Sequence, residues 1–402
     1  MKEWSVAALT DEAGGMRDDL VAVRRELHRH PEVGLQLPRT QAVVVEALAG
    51  LGLQVHRGEA TTSVVAVLEG GRPGPTTLLR SDMDALPVAE QTGLAYASEV
   101  DGAMHACGHD AHVAMLVGAA RLLAGRREEL AGRVLFMFQP GEEGYGGAKV
   151  MLAEGLLDRH GPVDRAFAVH LSPVSPAGWV ASRAGALMAS SDQFRVTVTG
   201  KGAHASTPHE GVDPVPVACE MVVALQAMVT RRVAAVDPAV VTVSWIDAGR
   251  TFNVTPEAVV LGGTVRALSE AARSAAWAGL RRVVEGVAAA HLCTASVEEV
   301  GVSYPMTVND AGAVDEALGL AAAVVGPDRV LRLPTAAMTA EDWSFVLQRV
   351  PGSMVYLGAA PAGVDDPAPN HSPRMVIDEE VMGTGVALHA LTALRAPAEQ
   401  AV

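Results

Sequence analysis

A chain of 402 residues is longer than a single hydrophobic core usually supports, so we expect two domains, one of them interrupted by the other. The net charge of −15 and the lack of any basic cluster argue against a nucleic-acid partner, and no stretch is long and apolar enough to predict a membrane span. Three cysteines are too few for a disulfide framework and agree with a reducing compartment, so we expect a soluble, cytoplasmic protein.

The first half of the chain alternates helical and strand patterns. Helices are predicted at residues 18–27, 39–51 and 111–123, and strands at 64–68, 76–80, 133–138 and 165–169. His28 and His30 close the first helix, where cationic side chains suit the helix terminus, so we expect helix-terminus or surface positions for both. Such alternation is typical of an α/β domain with helices packed against a sheet.

Two carboxylates follow the strand at residues 76–80. Asp82 and Asp84 stand at its carboxyl end, where open α/β sheets gather their ligands, and a period of two places both on one side. Asp-x-Asp alone is equally consistent with a turn. Beside a metal site, however, a metal-binding imidazole usually donates the N–H of its other ring nitrogen to a carboxylate. The predicted role of this pair is to accept such hydrogen bonds.

The stretch from Met104 to His112 contains one thiol, three imidazoles and a carboxylate. Cys107 and His109 flank Gly108, so no Cβ stands between them and both side chains can reach one metal ion. This density predicts a metal site, with these two residues as its first ligands.

Further candidate ligands stand at the ends of the next two strands. Glu142 and Glu143 follow the strand at 133–138, and neighbouring side chains in extended backbone point in opposite directions, so one carboxylate can bind metal while the other faces the substrate. An isolated Glu-Glu pair is more simply a solvated loop. His170 closes the strand at 165–169 and is a potential ligand in the same position.

The order of predicted elements changes at about residue 185 to strand, helix, strand, strand, helix, strand. These elements cover residues 194–198, 213–229, 240–245, 258–265, 270–290 and 295–302. The βαββαβ order is typical of a compact ferredoxin-like domain, here inserted into the first domain. We therefore expect a first domain made of residues 1–184 and 304–402, and an inserted domain at 185–303.

His371 lies in a turn near the end of the chain, between prolines that restrict its backbone. It completes a donor set of one thiolate, three imidazoles and one carboxylate: Cys107, His109, Glu143, His170 and His371. The set suits Zn²⁺ or a similar divalent ion and exceeds one tetrahedral site, so we expect two ions that share a ligand. Cys107 is the candidate bridge because a thiolate has lone pairs for two ions, and two neighbouring ions would activate a water nucleophile.

Eight motifs span nearly the whole chain. In order, they are RSDMDALP (80–87), MHACGHD (104–110), QPGEEG (139–144), AVH (168–170), GKGAHAS (200–206), NVTP (253–256), GTVR (263–266) and NHSP (370–373). Together they resemble the peptidase M20 family, and within it the amidohydrolase branch that includes hippurate hydrolases, auxin-conjugate hydrolases and N-acyl-amino-acid deacylases. Other branches have a His where this chain has Asp82, which implies the ligand set of the Cys-containing branch.

The resemblance implies a role for each candidate residue. The five donors would be the metal ligands, and Glu142 would be the general base that takes a proton from the attacking water and later delivers it to the leaving amine. His204, on the inserted domain, would polarise the scissile carbonyl or stabilise its oxyanion, acting from the partner subunit of a homodimer. Asn253 and Arg266 would bind the substrate carboxylate. Taken singly, each of these last three is more simply a loop or strand-face side chain.

We therefore expect a dinuclear metal-dependent amidohydrolase that cleaves the amide bond of N-acyl amino acids, with Zn²⁺ as the preferred ion and Mn²⁺, Ni²⁺ or Co²⁺ as alternatives. The implied fold is an α/β catalytic domain with a central mixed sheet flanked by helices, interrupted by a ferredoxin-like dimerisation domain that closes over the substrate. A dipeptidase or carboxypeptidase of the same fold is the alternative. A non-catalytic carboxylate-binding homologue and a thiol hydrolase also stay open, although a Cys107 nucleophile leaves the other metal donors without a reason.

Overall fold

The chain forms two units, which are described here one at a time. The large unit comprises Met1–Leu187, Val308–Thr335 and Asp342–Val402, and the small unit comprises Met188–Thr307 and Ala336–Glu341. Residues 5–394 are those that the structure, a computed structural model, describes. The predicted domain boundaries, and the catalytic and dimerisation roles attached to them, stay predictions.

Helices and strands alternate along the described part of the chain. The helices are α1 (Val6–Gly15), α2 (Arg17–Arg29), α3 (Pro38–Ala47), α4 (His109–Ala124), α5 (Gly147–Ala153), α6 (Pro214–Arg232), α7 (Glu270–Ala290), α8 (Ala311–Val325), α9 (Ser344–Leu347) and α10 (Met382–Leu394). The strands are β1 (Gln54–Arg57), β2 (Val64–Glu69), β3 (Arg72–Asp82), β4 (Ala131–Gln139), β5 (Arg165–Ser172), β6 (Val180–Ser182), β7 (Gly185–Met188), β8 (Ser191–Thr199), β9 (Ala203–His204), β10 (Ala239–Asp247), β11 (Val254–Thr255), β12 (Ala258–Ala267), β13 (Thr294–Tyr304), β14 (Thr307–Asn309), β15 (Val330–Arg332) and β16 (Gly352–Gly358).

An eight-stranded mixed sheet forms the centre of the large unit, in the order β1-β2-β4-β3-β5-β16-β6-β15. Strands β4, β3, β5 and β16 run parallel to one another, while β2 is antiparallel to β4 and β6 is antiparallel to β16. The carboxyl ends of β3, β4 and β5 therefore meet at one edge, which is where open α/β sheets gather ligands. This confirms the predicted α/β class with a central mixed sheet.

Helix α4 packs against α2, α10 and β3 inside the large unit. It is buried along nearly its whole length, because its sequence is apolar on all sides after the first turn and small residues such as Gly118 allow close approach. At Gly118 an added Cβ would lie 2.7 Å from Val386 on α10. The helix is therefore a rigid support for the residues at its amino end.

The small unit has the predicted βαββαβ order. Its four strands pair antiparallel in the order β10-β12-β8-β13, and the apolar faces of α6 and α7 bury against that sheet. Asp213 and Ser269 cap the amino ends of the two helices with side-chain hydrogen bonds, which explains why the helices begin there. A separate short ladder joins β9 to β11.

No helix within residues 5–394 is both long enough and apolar enough to cross a membrane.

His28 was expected at a helix terminus or on the surface. It lies in the last turn of α2 and is 1% exposed, and its ring nitrogens contact the acids Glu90 and Asp110. The expected helix-terminus position of His28 is thus confirmed, and the alternative of a surface position does not apply to it.

Candidate metal centre

The backbone at Gly108 brings Cys107 and His109 into one buried position. Gly108 caps helix α4 with a φ of 81°, a left-handed conformation that glycine adopts at little cost. An added Cβ there would also lie 3.4 Å from the side chain of Leu171. Both flanking side chains are buried, so the predicted pair of donors faces the protein interior at the carboxyl edge of the sheet.

Backbone carbonyls hold His109 and His170 in the same tautomer. Nδ1 of His109 donates to the carbonyl of Asp84 at 2.8 Å, and Nδ1 of His170 donates to the carbonyl of Leu171 at 2.8 Å. The Nε2 lone pair of each ring is then free to bind a metal ion, and Nε2 of His170 lies 3.6 Å from Sγ of Cys107.

Asp84 holds the two glutamates in place. Its Oδ1 accepts the backbone N–H of Glu142 at 2.9 Å, and its Oδ2 accepts that of Glu143 at 3.0 Å. The preceding Gly141 has a φ of 70°, and an added Cβ would lie 2.5 Å from the side chain of Leu35, so this turn favours glycine. The clamp fixes the direction in which both carboxylates leave the backbone.

His371 reaches the cluster from the loop before α10. Its backbone N–H donates to the carbonyl of Ala106 at 2.7 Å, next to Cys107, and its φ of 69° is unusual for a residue with a Cβ. Nε2 of His371 lies 3.2 Å from Oε1 of Glu143. The strained backbone is thus held where its ring faces the carboxylate.

Two groups of donors share Cys107. The thiol lies with His109 and His170 in one group, whose ligand atoms are all within 4.8 Å of one another, and with Glu143 and His371 in a second group of the same kind. A third group joins His109 to both glutamates, which places Glu142 beside the donors. The structure therefore brings the five predicted ligands and the predicted base together, and Cys107 is common to two of the donor groups.

The protonation states of the cluster depend on its burial. Burial, with the nearby carboxylate of Glu143, raises the pKa of the Cys107 thiol, whereas burial lowers the pKa of His170 to about 3. Hydrogen bonds to Cys107 and Glu143 raise the pKa of His371 to about 10. A buried thiol becomes a thiolate only beside a compensating cation, so this position suits a metal ion better than a free thiol.

The donor set fits two divalent ions. Nε2 of His109 is buried without a hydrogen-bond partner among the described residues, and it lies 4.0 Å from Oε1 of Glu143, which itself contacts Nε2 of His371. Unpartnered polar atoms of this kind are rare in folded proteins unless a ligand or ion completes them. Thiolate, imidazole and carboxylate are the ligands that Zn²⁺ and related ions prefer.

A buried network behind the donors was not predicted as such. Asp82 accepts from Nη1 of Arg80 and from Nδ1 of His112, each at 2.6 Å, and Nε2 of His112 accepts the backbone N–H of Leu171 at 2.9 Å. Because Asp82 and His112 already make these hydrogen bonds, they are poor candidates for metal ligands. Arg80 also donates to Asp342, 262 residues away, so no local sequence signal could indicate that contact.

The other predicted site residues lie in the small unit. His204 and Asn253 are neighbours, because the N–H of Ala205 donates to the carbonyl of Asn253 beside the β9–β11 ladder. Nδ1 of His204 accepts the N–H of Ser206 at 3.1 Å, which leaves the ring proton on Nε2. Arg266, on β12, has a buried Nη1 without a hydrogen-bond partner among the described residues, and burial lowers the pKa of its guanidinium.

Comparison with known proteins indicates the family of this chain. The model of peptidase family M20/M25/M40 matches residues 78–395. Thermostable carboxypeptidase 1 of Saccharolobus solfataricus is 37% identical over 97% of this chain and 98% of its own, and N-acetyl-L-cysteine deacetylase of Bacillus subtilis is 37% identical over 90% and 85%. A solved dinuclear metal-binding peptidase of family M20 from Bacillus subtilis has a TM-score of 0.81 at 32% identity, covering 95% of this chain and 98% of that one. The chain therefore belongs to peptidase family M20/M25/M40.

Proposed function

We propose that this protein is a metal-dependent amidohydrolase that uses water to cleave the amide bond of N-acyl amino acids. The observation that carries the proposal is the Asp84 clamp, which fixes Glu143 among the metal donors and Glu142 directly beside them. One residue is thus available to bind metal and its neighbour to move protons. The deacetylase similarity supports an acylated amino acid as the substrate class.

The metal ligands in this proposal are the two groups that share Cys107. One ion would be held by Cys107, His109 and His170, and the other by Cys107, Glu143 and His371. When bound, a pair of divalent ions lowers the pKa of a water molecule and polarises the scissile carbonyl. Zn²⁺ is our first assignment, with Mn²⁺, Ni²⁺ or Co²⁺ as alternatives, because thiolate and imidazole ligands suit all four.

Glu142 is the general base of the reaction. Its side chain is buried beside His109 and Glu143, where no bulk water competes for the proton. It takes one proton from the attacking water as the tetrahedral intermediate forms, and it then delivers that proton to the amine that leaves. A single carboxylate therefore serves both steps of amide hydrolysis.

The small unit contributes groups for the substrate. The ring of His204 carries its proton on Nε2 and is exposed, so it is available to donate to a developing oxyanion. Arg266 offers the unpartnered Nη1, which suits a substrate carboxylate, and Asn253 lies next to His204 and offers its amide. An amino acid with a blocked nitrogen presents the matching carboxylate.

The small unit is also our proposed dimerisation domain. Strand β10 is an edge strand of the sheet, and Val240, Trp245 and Ile246 on it are exposed. Pairing of this edge with the same edge of a second copy would cover these side chains. In the resulting homodimer His204 acts on the substrate of the partner subunit. Because Cys107 must stay reduced to bind metal and forms no disulfide, we place the enzyme in the cytoplasm.

Hydrolysis assays on three substrate classes test the function. We expect the metal-loaded protein to cleave N-acetyl and N-benzoyl amino acids faster than dipeptides with a free amino group. One relative is named a carboxypeptidase. If this protein preferred dipeptides, the dipeptidase or carboxypeptidase alternative would be favoured instead. Activity that survives complete removal of metal by a chelator would contradict the metal mechanism and favour a thiol hydrolase.

A further inference from the structure

The large unit contains a second cavity that shares no residue with the metal centre. It has a volume of about 590 Å³ and lies between strands β1 and β2 and the segment that follows α5. Six of its lining residues are charged or titratable: His56, Arg57, Glu59, Glu154, Arg159 and His160. Neither the proposed hydrolysis nor the metal donors use any of them.

Two imidazoles face each other in this cavity. The ring centroids of His56 and His160 are 4.7 Å apart, with 50° between the ring planes. Neither ring has a hydrogen-bond partner among residues 5–394. Both rings line the cavity and can donate N–H groups there, where the oxygen atoms of a ligand can accept them in place of water.

The acidic residues of the cavity are already engaged. Glu59 forms an ion pair with Arg159 at 2.9 Å. Oε1 of Glu154 accepts the backbone N–H groups of Glu59 and Ala60. The remaining cation, Arg57, has no ion pair in the described part of the chain. Because the two arginines balance the two glutamates in number, the charge of the cavity is set by its imidazoles.

The surroundings of His160 are cationic. Its pKa is lowered by burial first, and then by the positive charges of His56, Arg133 and Arg159. The ring therefore loses its proton more readily than a free histidine while the cavity holds no ligand. An anion in the cavity would reverse the electrostatic part of this effect, so anion binding and proton uptake would be coupled.

We propose that this cavity is a binding site for a small oxyanion, a phosphate or carboxylate group of a metabolite, held by the imidazoles of His56 and His160 and by the guanidinium of Arg57. The oxyanion supplies the acceptors that the two rings lack and offsets the charge of Arg57. Its affinity rises as the pH falls, because a protonated imidazole binds an anion more strongly than a neutral one. The other charged groups around the two rings are Arg57, Arg133, Arg159, Glu59 and Glu154.

Calorimetric titration of the metal-loaded protein with sulfate tests the site. Sulfate keeps its charge across this pH range, so any pH dependence belongs to the protein. We expect binding to be roughly tenfold tighter at pH 6 than at pH 8, with proton uptake revealed by different heats in buffers of different ionisation enthalpy. Competition with inorganic phosphate and with succinate then shows whether the site takes a phosphate or a carboxylate group. Displacement of sulfate by either supports the proposal, and failure of both to displace it overturns the proposal.

Three variants make the test specific to the cavity. The double variant His56→Ala with His160→Ala should lose sulfate binding at least about tenfold while keeping its hydrolytic rate, and His291→Ala, which removes an exposed ring in the small unit, should bind like the parent. His160→Lys keeps a positive charge at pH 8 and should retain binding there. If the double variant binds sulfate as tightly as the parent, the sulfate lies elsewhere, for example at the metal centre, and the proposal is wrong.

Discussion

The carboxylate of Asp84 accepts the backbone N–H of Glu142 at 2.9 Å, across the ends of two parallel strands that are 58 residues apart in sequence at this contact. A single side chain thus sets the position of the proposed base. Its second oxygen does the same for the adjacent metal donor, and its own backbone carbonyl accepts Nδ1 of His109. Asp84 therefore connects the three elements that form the centre.

We predict that Asp84→Asn lowers turnover by roughly 100-fold, because an amide group can offer only one oxygen to two N–H donors and points its NH₂ at the second. The free energy of unfolding should fall by about 1–3 kcal/mol from the unsatisfied backbone group. Steady-state kinetics and urea denaturation measure the two effects.

Asp310→Asn is the matched control for this change. Asp310 caps helix α8 of the same unit through one oxygen, which asparagine supplies equally well. Its kinetics and stability should stay close to those of the parent. Equal losses in both variants would show that the Asp84 effect is not specific to the clamp.

Glu142→Gln should retain its metal ions and lose about 10²–10⁴-fold in turnover, because glutamine keeps the shape of the side chain but cannot accept the proton. Glu143→Gln should instead lose metal, because it removes the charge of a proposed ligand. Elemental analysis and kinetics on both variants separate the roles of the two neighbours. Near-parental activity in Glu142→Gln would falsify the assignment of the base.

Much of the centre could be predicted because its residues follow simple rules. The ends of parallel strands meet at one edge, so the positions of Asp84, Glu143 and His170 in the sequence indicate a common site. The Cys-Gly-His spacing also predicted that Cys107 and His109 lie together as metal donors at the start of α4. The α/β class and the inserted βαββαβ unit followed from the order of periodic segments.

Contacts between distant and locally unremarkable residues could not be predicted. Arg80 is 1% exposed and meets Asp342 only because the chain returns to the sheet after the small unit. Carboxylates were expected to orient the metal imidazoles, but a backbone carbonyl holds His109 and the carboxylate of Asp82 holds His112 instead. A sequence pattern predicts which face of a helix or strand is buried. It does not predict these hydrogen-bond partners, because they depend on how the buried faces pack against one another.

Replacing the proposed bridge should remove both metal ions at once. Cys107→Ser is expected to leave the dialysed protein almost free of metal, because a serine hydroxyl stays protonated and both donor groups lose a member. His170→Ala and His371→Ala each affect one group and should lose one ion preferentially. Elemental analysis gives the stoichiometry. Cys219→Ser, at an exposed thiol, is the control and should keep the parental metal content.

Arg266→Ala should raise KM for N-acyl amino acids by roughly 10- to 100-fold with a smaller effect on kcat, because the substrate carboxylate loses a charged partner. The same substrates with a carboxamide in place of the carboxylate should be nearly insensitive to the change. Arg250→Ala removes an exposed guanidinium of the same unit and serves as the control. An equal rise of KM for acid and amide substrates would contradict carboxylate binding by Arg266.

The stability of the large unit should depend on the protonation of His28. Burial by itself would lower the pKa of this ring, but the charge of Asp110 and hydrogen bonds to Asp110 and Glu90 outweigh it and raise the pKa to about 9. The unfolded value is about 6.5. The stabilisation is therefore fully present below pH 6.5 and is lost as the pH rises through 9.

His28→Gln removes this dependence. The difference in unfolding free energy between parent and variant should be larger at pH 6.5 than at pH 9.5 by up to about 3 kcal/mol, the upper limit set by the pKa shift. Urea denaturation of both proteins at the two pH values measures it. His30→Gln, which changes the neighbouring and more exposed ring, is the control variant. A parent-to-variant difference that is equal at both pH values would mean that His28 is not charged in the folded protein, and that Arg24 alone neutralises Asp110.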